Sequence, residues 1–129
     1  MLAVLELYPT DPWAAVQLLL AFLIGHALCD FPLQGEYLAN GKNWRSLKRL
    51  QDPSRPPQIW VTCMAAHCLI HAGAIWFIIG SPLVAVAEFA LHFCIDVAKC
   101  RGMTTLNQDQ ALHVLCKVVY VAVWYLGLV

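Results

Sequence analysis

The sequence HCLIH at residues 67–71 lies in the middle of an apolar run that extends from residue 59 to residue 79. A run of about 20 apolar residues predicts a helix long enough to cross a membrane. On a helix, residues four apart share one face and lie one turn above each other. The spacing therefore predicts that His67 and His71 reach the same metal ion.

Histidine and aspartate residues repeat this spacing elsewhere in the chain, and the pairs account for all five histidines. The further pairs are His26 and Asp30, His92 and Asp96, and Asp109 and His113. Each lies in or at the edge of another apolar run. This repetition indicates one shared site rather than scattered polar positions.

The composition predicts a membrane protein of one domain, residues 1–129. Hydrophobic residues make up 60% of the chain and charged residues only 12%, whereas about 25% of residues are charged in typical soluble domains. The formal net charge is zero. That argues against nucleic acid as a partner, because proteins that bind it carry a clustered basic excess.

Four apolar runs predict an all-α fold, an antiparallel four-helix bundle integral to the membrane. The predicted helices cover residues 13–31, 59–79, 83–98 and 108–128. The loop of residues 32–57 carries five Lys or Arg residues, and the loop between the last two helices carries two. The positive-inside rule then predicts a multi-pass protein of the bacterial inner membrane, with both loops in the cytoplasm and both termini outside.

Residues 43–51 interleave Trp44, Leu47 and Leu50 with basic residues. This pattern fits a short helix that lies in the membrane interface with its basic side on anionic head groups. A solvated loop is the alternative, and the pattern favours neither.

The order of residues within the pairs reverses with the predicted direction of the helices. In the first and third helices, which run toward the cytoplasm, His precedes Asp, and in the fourth Asp precedes His. We therefore expect Asp30, Asp96 and Asp109 at one shallow level near the cytoplasmic ends. The histidines of these helices should lie about one turn deeper, with His67 and His71 at their level or below it.

Ionisable side chains inside a membrane are costly, so they normally face the bundle interior and have partners. Metal coordination would satisfy all eight paired side chains at once. The mixture of His and Asp suits a divalent transition metal, with Zn²⁺ first and Fe or Mn as alternatives, and one or two ions. A metal-free polar network, such as a proton path, is the competing interpretation.

Two further ionisable residues are candidates for a catalytic role. Glu88 lies one turn from His92 on the same face and could act as a general base, or it could be a bonded core glutamate. Lys117 continues the face of Asp109 and His113 by one turn. It could bind a phosphate or pair with Glu88.

The motifs HALCDFPLQ at residues 26–34, HFCID at 92–96 and DQALH at 109–113 combine with His67, His71 and Lys99. Over residues 16–117 this combination resembles a family of small bacterial and phage inner-membrane proteins of unknown function. More distantly, the chain is similar to the membrane-bound metal-dependent hydrolases, which also carry His and Asp on several transmembrane helices. The resemblance implies a metal site and hydrolysis.

Two functions of different classes fit these observations. The first is a metal-dependent hydrolase that acts on a lipid-like or phosphoester substrate at the cytoplasmic leaflet. The second is a non-enzymatic membrane protein, an ion or proton conductor or a partner-binding regulator, with a structural metal or a polar network. Membrane lipid is the expected partner, and conduction would also need a homo-oligomer because four helices leave little room for a pore.

Overall fold

The computed structural model describes residues 11–46, 56 and 58–128. This part of the chain contains no strand and five helices with defined bounds. They are α1 (Pro12–Asp30), α2 (Gly35–Gly41), α3 (Ile59–Ile79), α4 (Pro82–Cys100) and α5 (Leu106–Tyr125). The predicted all-α fold is therefore confirmed for the described residues.

Capping residues mark where the long helices begin and end. The Asp11 side chain accepts a hydrogen bond from the first-turn backbone of α1, and Pro12 occupies that turn, where its missing N–H costs nothing. A capping box of Thr105 and Gln108 begins α5. α3 ends at Gly80, whose φ of 74° is in the left-handed region that glycine adopts freely.

The four long helices form a closed ring in which each packs against two neighbours. α1 and α4 each pack against both α3 and α5, and α2 packs against α3. Short connections join α3 to α4 and α4 to α5, so these neighbours run antiparallel. The C-terminal ends of α1 and α4 thus lie beside the N-terminal ends of α3 and α5, and we refer to this as the site end.

The predicted helices overlap the observed ones. α3 has the predicted range, and α1 begins and ends one residue before the predicted 13–31. α4 begins one residue earlier and ends two later than the predicted 83–98. α5 begins two residues earlier and ends three earlier than the predicted 108–128.

The segment of residues 32–57 contains a helix that the sequence does not predict. α2 has only seven residues, which is too short for a periodic hydrophobic signal, and its contact with α3 stabilises it. Residues 44–46 are helical, but residues 47–55 lie outside the described part of the chain. The interfacial helix at 43–51 therefore stays a prediction, and the tail of residues 1–10 likewise lies outside that part.

The interior of the bundle is apolar away from the site end, whereas toward the site end buried charged residues lie beside a smaller apolar cluster of Met64, Cys68 and Cys100. Away from the site end, the core contains Leu18, Phe22, Ile75, Val84, Tyr120, Val121 and Trp124. Toward the site end, Glu88, Asp96, Asp109 and Lys117 are each at most 2% exposed. The charged residues of α4 and α5 that the sequence predicts as metal ligands or catalytic residues therefore face the interior of the bundle.

Large apolar side chains are exposed on the outside of all four long helices. Along α1 and its C-cap they recur every three or four residues, at Trp13, Val16, Leu20, Ile24, Leu28 and Phe31. By length and composition, two of the described helices, α1 and α3, could cross a membrane. The polar and charged residues of α4 and α5 lower the hydropathy of those helices. The four-span membrane bundle and the placement of the termini therefore stay predictions.

Candidate metal centre

All eight predicted ligands lie near one another at the site end of the bundle. Three histidine rings form a row, with ring centroids 3.8 Å apart for His71 and His92 and 4.1 Å apart for His92 and His113. His67 lies 4.6 Å and His26 5.1 Å from the ring of His71. The i to i+4 pairs on separate helices thus converge on one centre.

One group of ligand atoms combines three histidines with a carboxylate. It contains Asp30, His67, His71 and His92, whose ligand atoms all lie within 4.8 Å of one another. Asp30 Oδ1 lies 3.1 Å from Nε2 of His71 and 3.4 Å from Nε2 of His67. Nε2 of His67 lies 3.1 Å from Nε2 of His92.

These separations are the ones that ligands of a single ion would have. Zn–N and Zn–O bonds are about 2.0–2.2 Å long, and two ligands of a tetrahedral ion are then about 3.4 Å apart. Three pairs of donor atoms in this group are 3.1–3.4 Å apart, and all four atoms lie within 4.8 Å of one another. The four side chains therefore could hold a metal ion with little movement.

A second group contains His92, Asp96 and His113. Asp96 Oδ1 lies 3.5 Å from Nε2 of His113, and Asp96 Oδ2 lies 3.9 Å from Nε2 of His92. His92 belongs to both groups, but a neutral imidazole offers a single lone pair. The two groups therefore compete for His92 if both hold an ion.

Glu88 and Lys117 orient His92 from behind. Nδ1 of His92 lies 3.1 Å from Glu88 Oε1, and Lys117 Nζ donates a 2.6 Å hydrogen bond to the same oxygen. An imidazole that donates Nδ1–H to a carboxylate presents its Nε2 lone pair to a metal, the arrangement common at protein metal sites. Of the two alternatives for Lys117, the structure therefore has the pair with Glu88.

His26 and Asp109 lie beside the two groups rather than in them. Nε2 of His26 is 3.4 Å from both Asp30 Oδ2 and Gln110 Oε1. Asp109 Oδ1 is 3.7 Å from Nε2 of His113, and Lys99 Nζ donates a 3.0 Å hydrogen bond to Asp109 Oδ2. Their role as ligands stays a prediction, as it does for the other six.

Sequence reasoning missed Lys42, which it counted only among the basic residues of the loop. Lys42 follows α2 directly, is 9% exposed, and donates a 2.6 Å hydrogen bond to Asp96 Oδ2. The close approach of α2 to α3 brings it there, since a Cβ added at Gly41 would lie 2.5 Å from Sγ of Cys63. The only hint in the sequence is the glycine before the lysine.

A cavity of about 220 Å³ opens onto the site. Its lining contains all three predicted aspartates, the lysines that donate to Asp96 and Asp109, and the amides of Gln34, Asn43 and Gln110, but none of the histidines. The aspartates therefore lie nearer the opening than the imidazoles, which is the depth order predicted from the sequence.

Several buried polar atoms of the site have no hydrogen-bond partner among the described residues. They are Nδ1 of His26, Nδ1 of His67, Oδ1 of Asp109 and Oε1 of Gln34. Buried polar atoms are normally bonded, so such atoms in one cluster indicate a site that a ligand or water completes.

The model of one protein family, described as "Protein of unknown function (DUF3307)", matches residues 18–128. The chain belongs to the DUF3307 family. It has no significant match among curated proteins or among solved structures. Membership confirms the resemblance to a family of unknown function. The family description names no activity and no location, so the similarity to membrane-bound hydrolases and the inner-membrane location stay predictions for this DUF3307 protein. A function must therefore be argued from the geometry of the site.

Proposed function

We propose that this DUF3307 protein is an integral membrane metal-dependent hydrolase that acts on a phosphoester of a lipid-like substrate at the cytoplasmic leaflet. The observation that carries the proposal is the convergence of Asp30, His67, His71 and His92, three pairs of whose donor atoms are 3.1–3.4 Å apart. These separations match the spacing of about 3.4 Å expected around one tetrahedral ion.

The outside of the bundle supports a multi-pass location. The four long helices have 19, 21, 19 and 20 residues, and at about 1.5 Å per residue they match the hydrocarbon thickness of about 30 Å. α4 and α5 bury their charged side chains except that of Lys99, in the last turn of α4, and they expose apolar residues such as Val86, Leu91 and Leu115. Contiguous exposed apolar surface of this kind is unusual in a soluble monomer. The basic loops then lie in the cytoplasm and both termini outside.

The donor set favours zinc, with iron or manganese as alternatives. Three imidazoles with one carboxylate form a borderline donor set that suits Zn²⁺. The first group would hold one ion, and Asp96 with His113 would supply donors for a second. Because His92 has one available lone pair, a second ion would rely on carboxylates shared between the groups.

Hydrolysis assigns distinct roles to the residues of the site. A bound divalent ion would supply Lewis acidity and an activated water for attack on the phosphoester. Asp109 Oδ1 has no hydrogen-bond partner in the described structure, and Asp109 lines the cavity. It is therefore the best-placed proton acceptor. Glu88 lies behind His92 and is 1% exposed. This placement suits a role in positioning His92 better than it suits the role of general base.

A non-enzymatic role is the alternative, and one observation favours it. Lys42, Lys99 and Gln110 already donate hydrogen bonds to the three aspartates, at 2.6, 3.0 and 3.0 Å. Such a network gives every carboxylate a hydrogen-bond donor without a metal, which is compatible with an ion or proton conductor or a regulator. Conduction through a single four-helix chain lacks room for a pore and would need a homo-oligomer.

Metal content and phosphoester turnover, measured on the same protein, separate the two candidates. The protein would be purified in detergent without chelators, and its metals measured by mass spectrometry. We expect at least one equivalent of a transition metal, or its uptake on addition, and metal-dependent release of phosphate or alcohol from phosphoesters. His71→Ala should abolish both, while Leu69→Ala, on the exposed face of the same helix, should abolish neither. A wild-type protein that neither contains nor binds metal contradicts the hydrolase.

A further inference from the structure

We propose that Lys42 and Lys99 form an anion subsite that receives the phosphoryl group of the substrate once metal is bound. The proposal rests on the proposed function for the metal, and it names the chemistry that the cavity recognises. Both lysines line the cavity at the site end, and each donates to a predicted ligand, Asp96 or Asp109.

The charges of the cavity change sign when a divalent ion enters. Among the residues that the structure describes, its lining carries three aspartates and two lysines and no other Asp, Glu, Lys or Arg, and these five side chains sum to a formal charge of −1. One divalent ion brings this charge to +1, and two ions bring it to +3. Glu88 and Lys117 neutralise each other deeper in the bundle. The metal-free cavity thus suits cations, and the loaded cavity suits an anion.

The bond between Lys42 and Asp96 explains how the lysine becomes available. Without metal, the ammonium group of Lys42 neutralises the same carboxylate that faces His67 and His113. An ion held by the second group, which contains Asp96, would withdraw that negative charge from the lysine. A buried cation without a counter-charge is costly, so Lys42 would then require a new anionic partner. The cavity that it lines is the place for one.

The size and amides of the cavity fit a phosphoryl group rather than a whole lipid. Its volume of about 220 Å³ is below the range of about 300–1,000 Å³ for pockets that enclose an entire small molecule. The side-chain amides of Gln34, Asn43 and Gln110 line it, and amide N–H groups are donors to anionic oxygens. A head group would therefore enter, while the apolar part of the substrate stays outside.

Binding of inorganic phosphate tests the subsite without turnover. Calorimetric titrations would compare metal-free with manganese-loaded protein, for the wild type and Lys42→Met. The matched control is Arg101→Met, which removes an exposed cation outside the cavity lining. A hydrogen bond to a charged group contributes about 1.5–3 kcal/mol, so we expect Lys42→Met to weaken binding about 10-fold to 100-fold. Metal-free protein should also bind more weakly, and the control should match the wild type.

Equal phosphate affinity with and without metal, or in wild type and Lys42→Met, overturns the subsite. Metal titration of Lys42→Met verifies that the variant is folded, because it should bind manganese at least as tightly as the wild type. If Lys42→Met binds no manganese, the variant has lost the metal site, and Lys42→Arg is used in its place. We expect Lys42→Arg to retain phosphate affinity, and a loss of affinity in this variant would contradict the proposal.

The source of the phosphoryl group is tested with lipid. Phosphatidic acid in nanodiscs should compete with inorganic phosphate, whereas phosphatidylcholine alone should not; if neither lipid competes, free phosphate compounds are the ligands. The subsite and the hydrolase fail separately. Metal-dependent phosphate binding without turnover of any phosphoester removes the hydrolase and leaves the subsite. Turnover that is unchanged in KM by Lys42→Met removes the subsite and leaves the hydrolase.

Discussion

Nε2 of His67 and Nε2 of His92 lie 3.1 Å apart, although 25 residues separate them in the chain. Two ring nitrogens approach this closely only when one donates a proton to the other or when both face a cation. With Nδ1 of His92 beside Glu88, the Nε2 of His92 is the acceptor. A metal ion would replace the proton between the two rings.

Metal affinity should depend on position within the cluster. His71→Ala removes a donor of the first group, while His26 lies beside that group. Mutation of residues that support metal ligands typically lowers affinity about 10-fold to 100-fold. We expect a loss in that range for His26→Ala and a larger one for His71→Ala. Competition with a chromophoric chelator measures both, and equal losses would contradict the assignment of His71 as a ligand.

The buried pair of Glu88 and Lys117 should be strongly coupled. Breaking a buried ion pair by removing one partner costs about 3–5 kcal/mol, because it leaves an uncompensated charge. Glu88→Gln and Lys117→Met should each destabilise the folded protein by about this amount. The double variant should be more stable than either single one. Unfolding in mixed detergent micelles measures the effect, and additive losses would show that the pair is not coupled.

The helices and the pairs could be predicted because membrane-length apolar runs and the i to i+4 spacing are local patterns. The order of His and Asp reverses with helix direction, which predicts that the aspartates lie nearer the site end than the histidines. In the structure the three aspartates line the cavity and the histidines do not. Helix direction was enough for that inference, because residues at equal distance from the same end of antiparallel helices meet.

The positions of Lys42 and Gln110 in the cavity lining could not be predicted from the sequence, because tertiary contacts determine them. α2 is only seven residues long, and its position depends on its packing against α3. Lys42 therefore looked like any other basic residue of a loop. Gln110 is similar, since only the fold reveals that its Nε2 donates a 3.0 Å hydrogen bond to Asp30.

The approach of α2 to α3 should control the position of Lys42. A methyl group at Gly41 would lie 2.5 Å from Sγ of Cys63, whereas one at Gly73 meets nothing within 4 Å. Gly41→Ala should therefore displace α2 and weaken phosphate binding by the metal-loaded protein. Gly73→Ala is the control, and it should leave binding unchanged while gaining up to about 1 kcal/mol in stability from helix propensity. Unchanged phosphate binding in Gly41→Ala would show that the packing of α2 on α3 does not determine the position of Lys42.

The environment of α5 decides whether the bundle spans the membrane more than twice. Leu115 is 55% exposed near the middle of α5, and Leu126 is 69% exposed just after its end. A lysine at the centre of a membrane helix costs about 2.5–3.5 kcal/mol, whereas a substitution on a soluble surface usually changes stability by less than about 0.5 kcal/mol. Leu115→Lys should therefore reduce the amount of folded protein in the membrane fraction, and Leu126→Lys, near the interface, should not. The yield after carbonate extraction measures this effect. Equal recovery of both variants would mean that α5 lies in water, and the four-span arrangement would then be wrong.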